Sequence, residues 1–497
     1  MSAELTIKIN FRGGIISPGV LYNILVAAKR SGCRQVSFGL RQQLYVPVSS
    51  LLIAQLEQEL TKLGIAFETD TDEFPCIMSS YPAEEIFIHN TWVSEGVYKD
   101  IFDEFNYTPK LKLNLSDSNQ SFTPLLTGNI NWVASASSPH FWHLFVRLPK
   151  TNHVYQWDRL TYTNDVARLS QLLEALILEA GNNYSESNQT LFASLMNQIN
   201  LNKFITRETE NPAMLPAFNL PYYEGLNRYN DKYWLGVYRR DELFDIEFLQ
   251  DLCSLCLETR IGQICSTPWK SIIVKSIEEK DRARWNYLLE KHQINMRHAA
   301  NELNFQVEDH CSNGLALKQY LVRQLNNDDT RSFGICIGIK TRRKSEVFSS
   351  ILVVRKPLFS FLGMNFLHVY DILCAHDFNP NERTAFVFSR NNPRFVLREQ
   401  LRRAILLYYH SKADKQSKRE VIAAVREKKE TPKQKDELFY CPHCFTEYNP
   451  STGDPDQGIP ANTSFENLPE SYTCSLCEAP KEDFVSVKSE MMISVPA

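Results

Sequence analysis

The sequence predicts an α+β chain in which a duplicated body is followed by a small metal-stapled domain. Three observations carry this. A strand–helix–strand order near the start returns about 228 residues later, two Cys-x-x-Cys pairs lie near the end, and the charge balance shifts sharply just before them. At 497 residues, with 43% hydrophobic and 23% charged side chains, the chain has the composition of a globular protein with roughly three cores.

The first copy opens with SPGVLYNILVAAKRSG, whose apolar residues recur at helical spacing and stop at Gly32. CRQVSFGLRQQLYVPV then alternates as strands do, and SSLLIAQLEQELTKLG is a second helix closed by glycine. The same order returns in YWLGVYRRDELFDIEFLQDLCSLCLETRIG and QICSTPWKSIIVKSI. An interval this long is a domain duplication rather than a solenoid repeat. Each copy leads into a longer segment, the first through KLKLNLSD, NINWVAS and HFWHLFVRL, the second through NGLALKQYLVRQL, FGICIGIK and SSILVVRK. The expected order is therefore half-domain, lobe, half-domain, lobe, over residues 1–75, 76–205, 206–280 and 281–410. A mixed-charge stretch over 411–438 reads as a solvated helix and linker, and the small domain occupies 439–487.

No run of about 18 apolar residues predicts a membrane span, and the N-terminus carries no secretory pattern. A net charge of −4 gives no nucleic-acid footprint. The expectation is a cytoplasmic protein without membrane or nucleic-acid partners. Of twelve cysteines, Cys33, Cys76, Cys253, Cys256, Cys265, Cys311, Cys336 and Cys374 sit in apolar or mixed contexts and read as buried reduced thiols. Cys253 and Cys256 have ligand spacing, but they fall in an apolar helical pattern with no second pair nearby.

The remaining four stand in YCPHC and TCSLC: Cys441, Cys444, Cys474 and Cys477. Four converging thiolates form a tetrahedral site that suits zinc or iron, and a domain of about 50 residues needs such a staple. The intervening GDPDQGI and TSFENLP, with APKEDF after the second pair, resemble rubredoxin over nearly all of 439–487. That resemblance implies one iron held by the four cysteines, with zinc as the alternative metal. It also implies an aromatic core from Tyr440, Tyr448, Phe465, Tyr472 and Phe484. The chain departs from the family where glycine usually follows each pair, at Phe445 and Glu478. It departs again at Ala461-Asn462, and at Tyr472 where tryptophan is usual.

In the body, FRGGIISPGVLYNILVAAKRSG followed by VSFGLRQQLYV resembles the opening of sirohaem-type nitrite and sulfite reductases, and the likeness extends over residues 5–405. It implies duplicated ferredoxin-like half-domains. Arg41-Gln42 matches the family's arginine–glutamine signature, with Leu40 in place of threonine. Active members hold an iron–sulfur cubane on two cysteine pairs, one thiolate of which also bridges to sirohaem. Here Ser118 and Phe122 stand where one pair belongs, and the later loops offer only Cys311 and Cys336. Neither cubane nor sirohaem is expected, and no catalytic residue is assigned. Arg41, Lys110 and Lys112 remain candidates for an anion-binding pocket, the two lysines on one face of a strand; Arg342-Arg343-Lys344 adds a further basic run.

The function expected from this combination is one-electron transfer to a partner protein, such as a true reductase in nitrite or sulfite assimilation, with a degenerate body as platform. The alternatives are a body that keeps sirohaem and reduces an oxyanion itself, and a zinc-bearing structural adaptor.

Overall fold

The computed structural model describes residues 4–88, 91–181, 188–210, 213, 215–342, 347–361, 364–429, 438–444, 446–450 and 452–487. The chain divides into two units, residues 1–411 and 412–497.

In the first unit, local sequence explains the half-domain elements. The helix Pro18–Arg30 starts with proline at its first position, buries Leu21, Ile24, Leu25 and Ala28 along one face, and stops at Gly32, where φ is +76°. The strand Leu44–Ser49 alternates strictly, so Leu44, Val46 and Val48 are buried and their neighbours half-buried. The second copy repeats this in register. Strand Glu4–Ile9 corresponds to Lys232–Val237, helix Pro18–Arg30 to Ile246–Glu258, and strand Leu44–Ser49 to Ile272–Ile277, each shifted by 228.

The copies exchange strands. Ile15–Ile16 of the first copy pairs antiparallel with Ile264–Ser266 of the second, and Phe244–Asp245 of the second pairs with Gln35–Phe38 of the first. Each half-domain sheet thus has five strands, one borrowed from the other copy. A single core spans both, from Ile7, Ile24 and Val36 to Leu249, Cys253 and Trp285. Cys253 and Cys256 are fully buried there, as the helical pattern indicated.

Each half-domain is followed by a lobe of the same topology. The first lobe's six-stranded sheet places Met78–Ser79, Leu113–Ser116 and Ile130–Ala134 parallel, then continues antiparallel through Phe141–Val146, Tyr155–Tyr162 and Thr206–Glu208. The second lobe repeats two parallel and two antiparallel pairings over Phe305–Val307, Ile337–Lys340, Ile351–Phe361, Met364–Ala375 and Ala385–Asn392. The central strands are buried on both faces: every residue of LNLS and INWVA is buried, the polar Asn114, Ser116 and Asn131 included.

Polar side chains bolt these layers together. Fully buried Gln42 donates from Nε2 to the carbonyls of Ser79 (3.0 Å) and Ser266 (3.1 Å), and its Oε1 accepts from the Ser79 N–H (2.8 Å). One amide therefore joins the first half-domain, the first lobe and the second half-domain. Lys275 and Glu84 form a buried pair at 2.8 Å between the second half-domain and the first lobe. Replacing Gln42 by alanine leaves three buried backbone groups short of a partner. The body should lose roughly 2–4 kcal/mol, read as a lower urea midpoint at unchanged slope.

The second unit carries the helix begun at Arg394 on to Lys429, then the small domain, a three-stranded sheet of Leu438–Tyr440, Glu447–Tyr448 and Val485–Val487. Its core is Tyr448, Ile459, Phe465, Leu468 and Tyr472, with Phe439 and Phe484 packed against it. Tyr440, expected in this core, is not part of it. Adjacent strand residues face opposite sides, and Phe439 takes the inward place, its ring stacked on Phe465 at 4.0 Å.

Candidate metal centre and the body site

Two related hairpins present the four cysteines. In the first, the Cys441 N–H donates to the Thr446 carbonyl (2.9 Å); in the second, the Cys474 N–H donates to the Ala479 carbonyl (2.8 Å). Both bonds span five residues, so the turns are the same shape 33 residues apart. The turn needs a residue at positive φ just after its second cysteine. Glu478 supplies it at φ +60°, against the steric preference of an L side chain; Asn462, in the segment between the hairpins, is also left-handed at +64°. Phe445, the matching position of the first hairpin, lies outside the described residues.

The four Sγ atoms lie within 4.8 Å of one another. Cys441 and Cys477 approach to 3.5 Å, and Cys444 and Cys474 to 3.4 Å. Tetrahedral metal–thiolate bonds of roughly 2.3 Å require sulfur separations near 3.7 Å, so small outward movements admit the ion. Each hairpin contributes one buried sulfur, Cys441 or Cys474, and one nearer the surface, Cys444 or Cys477. Thr446 hydrogen-bonds the Cys444 sulfur and holds that thiol down at about 6, ready to bind as thiolate. Around the knot, Tyr472 donates to Asp454 (3.1 Å), and Lys481 donates to the carbonyls of Glu466 and Leu468 (3.2 and 2.7 Å).

The body contains no comparable site: among the described residues, the only other grouping of possible metal ligands is the exposed set His376, Asp377 and Glu382. Phe122 is completely buried between Phe87, Tyr223 and Trp269, with ring centroids at 5.0, 5.5 and 6.5 Å. The Trp269 indole N–H closes on the Phe122 carbonyl at 2.8 Å. Ser118 is half-buried in a loop closed by Gln120, which exchanges hydrogen bonds with Thr123. Cys311 caps the helix Ser312–Asn327, its sulfur accepting from the Gly314 N–H at 3.3 Å. Cys336 is fully buried against Ser350. These residues do not fit a cubane, because Cys311 and Cys336 are single thiols engaged elsewhere and Phe122 offers no ligand atom.

The candidate basic residues Arg41, Lys110 and Lys112 have partners within the body. The Arg41 guanidinium donates to the carbonyls of Cys76 and Leu113 and to Asn114 Oδ1, stitching half-domain to lobe. Lys110 and Lys112 were expected on a strand face, but the strand begins at Leu113. The N–H groups of Lys110 and Leu111 bond the Glu174 carboxylate (2.8 and 2.7 Å) and that of Lys112 bonds Asn129 (3.2 Å), instead of a sheet ladder. The Lys110 ammonium lies 3.4 Å from Glu73. Arg343 and Lys344 lie outside the described residues. Sequence reasoning missed the buried ion network of Lys270, Glu242, Lys318 and Asp309. Its one signal is that Lys270 stands 228 residues after Gln42, and both hold positive φ.

Residues 438–484 match the family model described as Rubredoxin. Rubredoxin-2 of Chlorobaculum tepidum is 51% identical over 51 residues, which make up 98% of that protein and 10% of this chain. The high molecular weight rubredoxin of Moorella thermoacetica is 41% identical over 49 residues, 10% of this chain and only 21% of that protein's length. Among solved structures, the NirA protein of Mycobacterium tuberculosis superimposes with a TM-score of 0.61 at 11% identity, covering 80% of each chain. That likeness establishes the fold of the body.

Three substitutions probe the centre. Cys444→Ser or Cys474→Ser should abolish metal binding and raise amide exchange after about residue 438 while the body stays protected. Glu478→Gly relieves a left-handed backbone and should stabilise the small domain by about 1 kcal/mol in its chemical unfolding curve.

Proposed function

Because the chain belongs, through residues 438–484, to the rubredoxin family, we propose that it is an electron-transfer protein whose reductase-like body serves as a platform in nitrite or sulfite assimilation. The observation that carries the reading is the pairing of a complete four-thiolate centre with a body in which Phe122, standing where the resemblance to the reductases puts a cluster cysteine, is buried among aromatic rings. Iron held by Cys441, Cys444, Cys474 and Cys477 supplies a one-electron ferric/ferrous couple.

The chain's own residues do the rest. Cys441 and Cys474 anchor the centre in the core, and Cys444 and Cys477 bring its edge to the surface. Leu476, 72% exposed, stands beside Cys477 as an apolar contact point. Of the domain's acidic residues Asp454 turns inward to bind Tyr472, whereas Glu447, Asp456, Glu466, Glu470, Glu478, Glu482 and Asp483 are exposed. The only basic residue among them, Lys481, spends its ammonium on backbone carbonyls. An acidic surface with a small apolar centre suits fast, transient docking to a basic redox partner.

Protein purified in air from iron-replete cells should carry about one iron per chain, be red, and bleach with dithionite; colourless protein with stoichiometric zinc contradicts the proposal and favours the adaptor. Reduction of a basic partner should slow as salt rises, because screening acts over roughly 8–10 Å at physiological ionic strength. The protein should contain no acid-labile sulfide, and Ser118→Cys or Phe122→Cys alone should not introduce any. Sulfide, or sirohaem with turnover of nitrite or sulfite, would assign the chemistry to the body instead.

A further inference from the structure

In each half a cleft opens just past the end of a half-domain strand, at positions related by the duplication. In the first half, Asn10 and Arg12 line a cavity of 540 Å³. The residues 228 positions later, Tyr238 and Arg240, line one of 490 Å³, with Lys318 and Arg323 from the helix Ser312–Asn327 opposite. Both volumes are those of small-molecule sites. The polar groups are used differently. Asn10 donates to the Phe74 carbonyl (2.7 Å) and Arg12 to the Phe102 carbonyl (2.9 Å). The Tyr238 hydroxyl, on a side chain only 2% exposed, faces the Lys318 ammonium, from which it can only accept, so its own O–H is left without an acceptor.

Lys318 is equally buried, at 3% exposure, with its ammonium 5.1 Å from the centre of the Tyr238 ring. An ammonium has three donors. Its one carboxylate, Glu242, stands 3.5 Å away and gives its other oxygen to Lys270 at 2.6 Å. Arg240 is held by both oxygens of Glu302 (2.8 and 2.9 Å), so that pair is neutral. Arg323, exposed at the cleft, makes no ion pair among the described residues. The cleft therefore combines a buried hydroxyl whose O–H has no acceptor, a buried ammonium that shares its one carboxylate with Lys270, and an exposed guanidinium with no ion pair among the described residues. All three can donate to oxygen, and the charge left over is positive.

We propose that this cleft binds a small oxyanion-bearing ligand, a carboxylate or a phosphate, with Tyr238 Oη and Lys318 Nζ taking its oxygens and Arg323 pairing its charge. The site stands whether or not the C-terminal domain carries electrons. Calorimetric titration of the full chain with inorganic phosphate and, separately, with citrate should show one site per chain for at least one of them, and that ligand should raise the melting temperature of the body. Binding of phosphate alone assigns a phosphate-bearing ligand, and binding of citrate alone a carboxylate. Tyr238→Phe removes one hydroxyl and should weaken binding about fivefold, and Arg323→Ala, at an exposed side chain, should weaken it about tenfold without lowering the ligand-free melting temperature. No binding of either anion at about 10 mM, or affinities unchanged in both variants, would overturn the proposal.

Discussion

The body depends on the reciprocal exchange of two short strands. Ile15–Ile16 completes the second half-domain's sheet, and Phe244–Asp245 completes the first's. Neither half-domain closes its sheet alone, so the two copies fold into one core, with Leu249 and Cys253 sharing a cluster with Ile7 and Val36. That shared core fixes the loops at the ends of the strands, where Gln42 and its counterpart Lys270 stand. From there each copy reaches across. Gln42 bonds the first lobe at Ser79 and the second half-domain at Ser266, while Lys270 bonds Glu242 beside it and the second lobe at Asp309. Because the two positions carry different residues, a symmetric scaffold presents asymmetric chemistry.

The small domain obeys the opposite economy. Five buried residues with two packed neighbours make a thin core, and its hairpins converge on four sulfurs rather than on apolar contacts. The positive φ of Glu478 persists because the bond from the Cys474 N–H to the Ala479 carbonyl closes the turn around it. The same geometry that staples the fold brings Cys444 and Cys477 towards the surface, so structural need and electron access meet in one set of residues.

Much of this was legible in the sequence because period and spacing are local signals. The helix ending at Gly32, the alternation of Leu44–Ser49 and the return of both at an interval of 228 are direct readings of polarity. The four cysteines with GDPDQGI and TSFENLP indicated the rubredoxin fold. What escaped depends on contacts remote in sequence. The strand exchange involves two-residue segments too short to show a period. Lys110 and Lys112 read as strand residues because the carboxylate that captures the backbone there belongs to Glu174, 64 residues on. Tyr440 and Phe439 are equally aromatic, and only the register of the three-stranded sheet decides which turns inward. The cleft around Tyr238 has no motif, since its side chains come from a strand end and a helix about 80 residues apart.

The central claim is that a single redox centre, in the C-terminal domain, serves the whole chain. Coulometric titration of the full-length protein, followed by its visible spectrum, tests this most directly. The account predicts uptake of one electron per chain, with the thiolate-to-iron absorption lost in step with that electron. Uptake of two or more electrons per chain, with part of the charge entering while the visible band stays constant, would place a second redox centre in the body and contradict it.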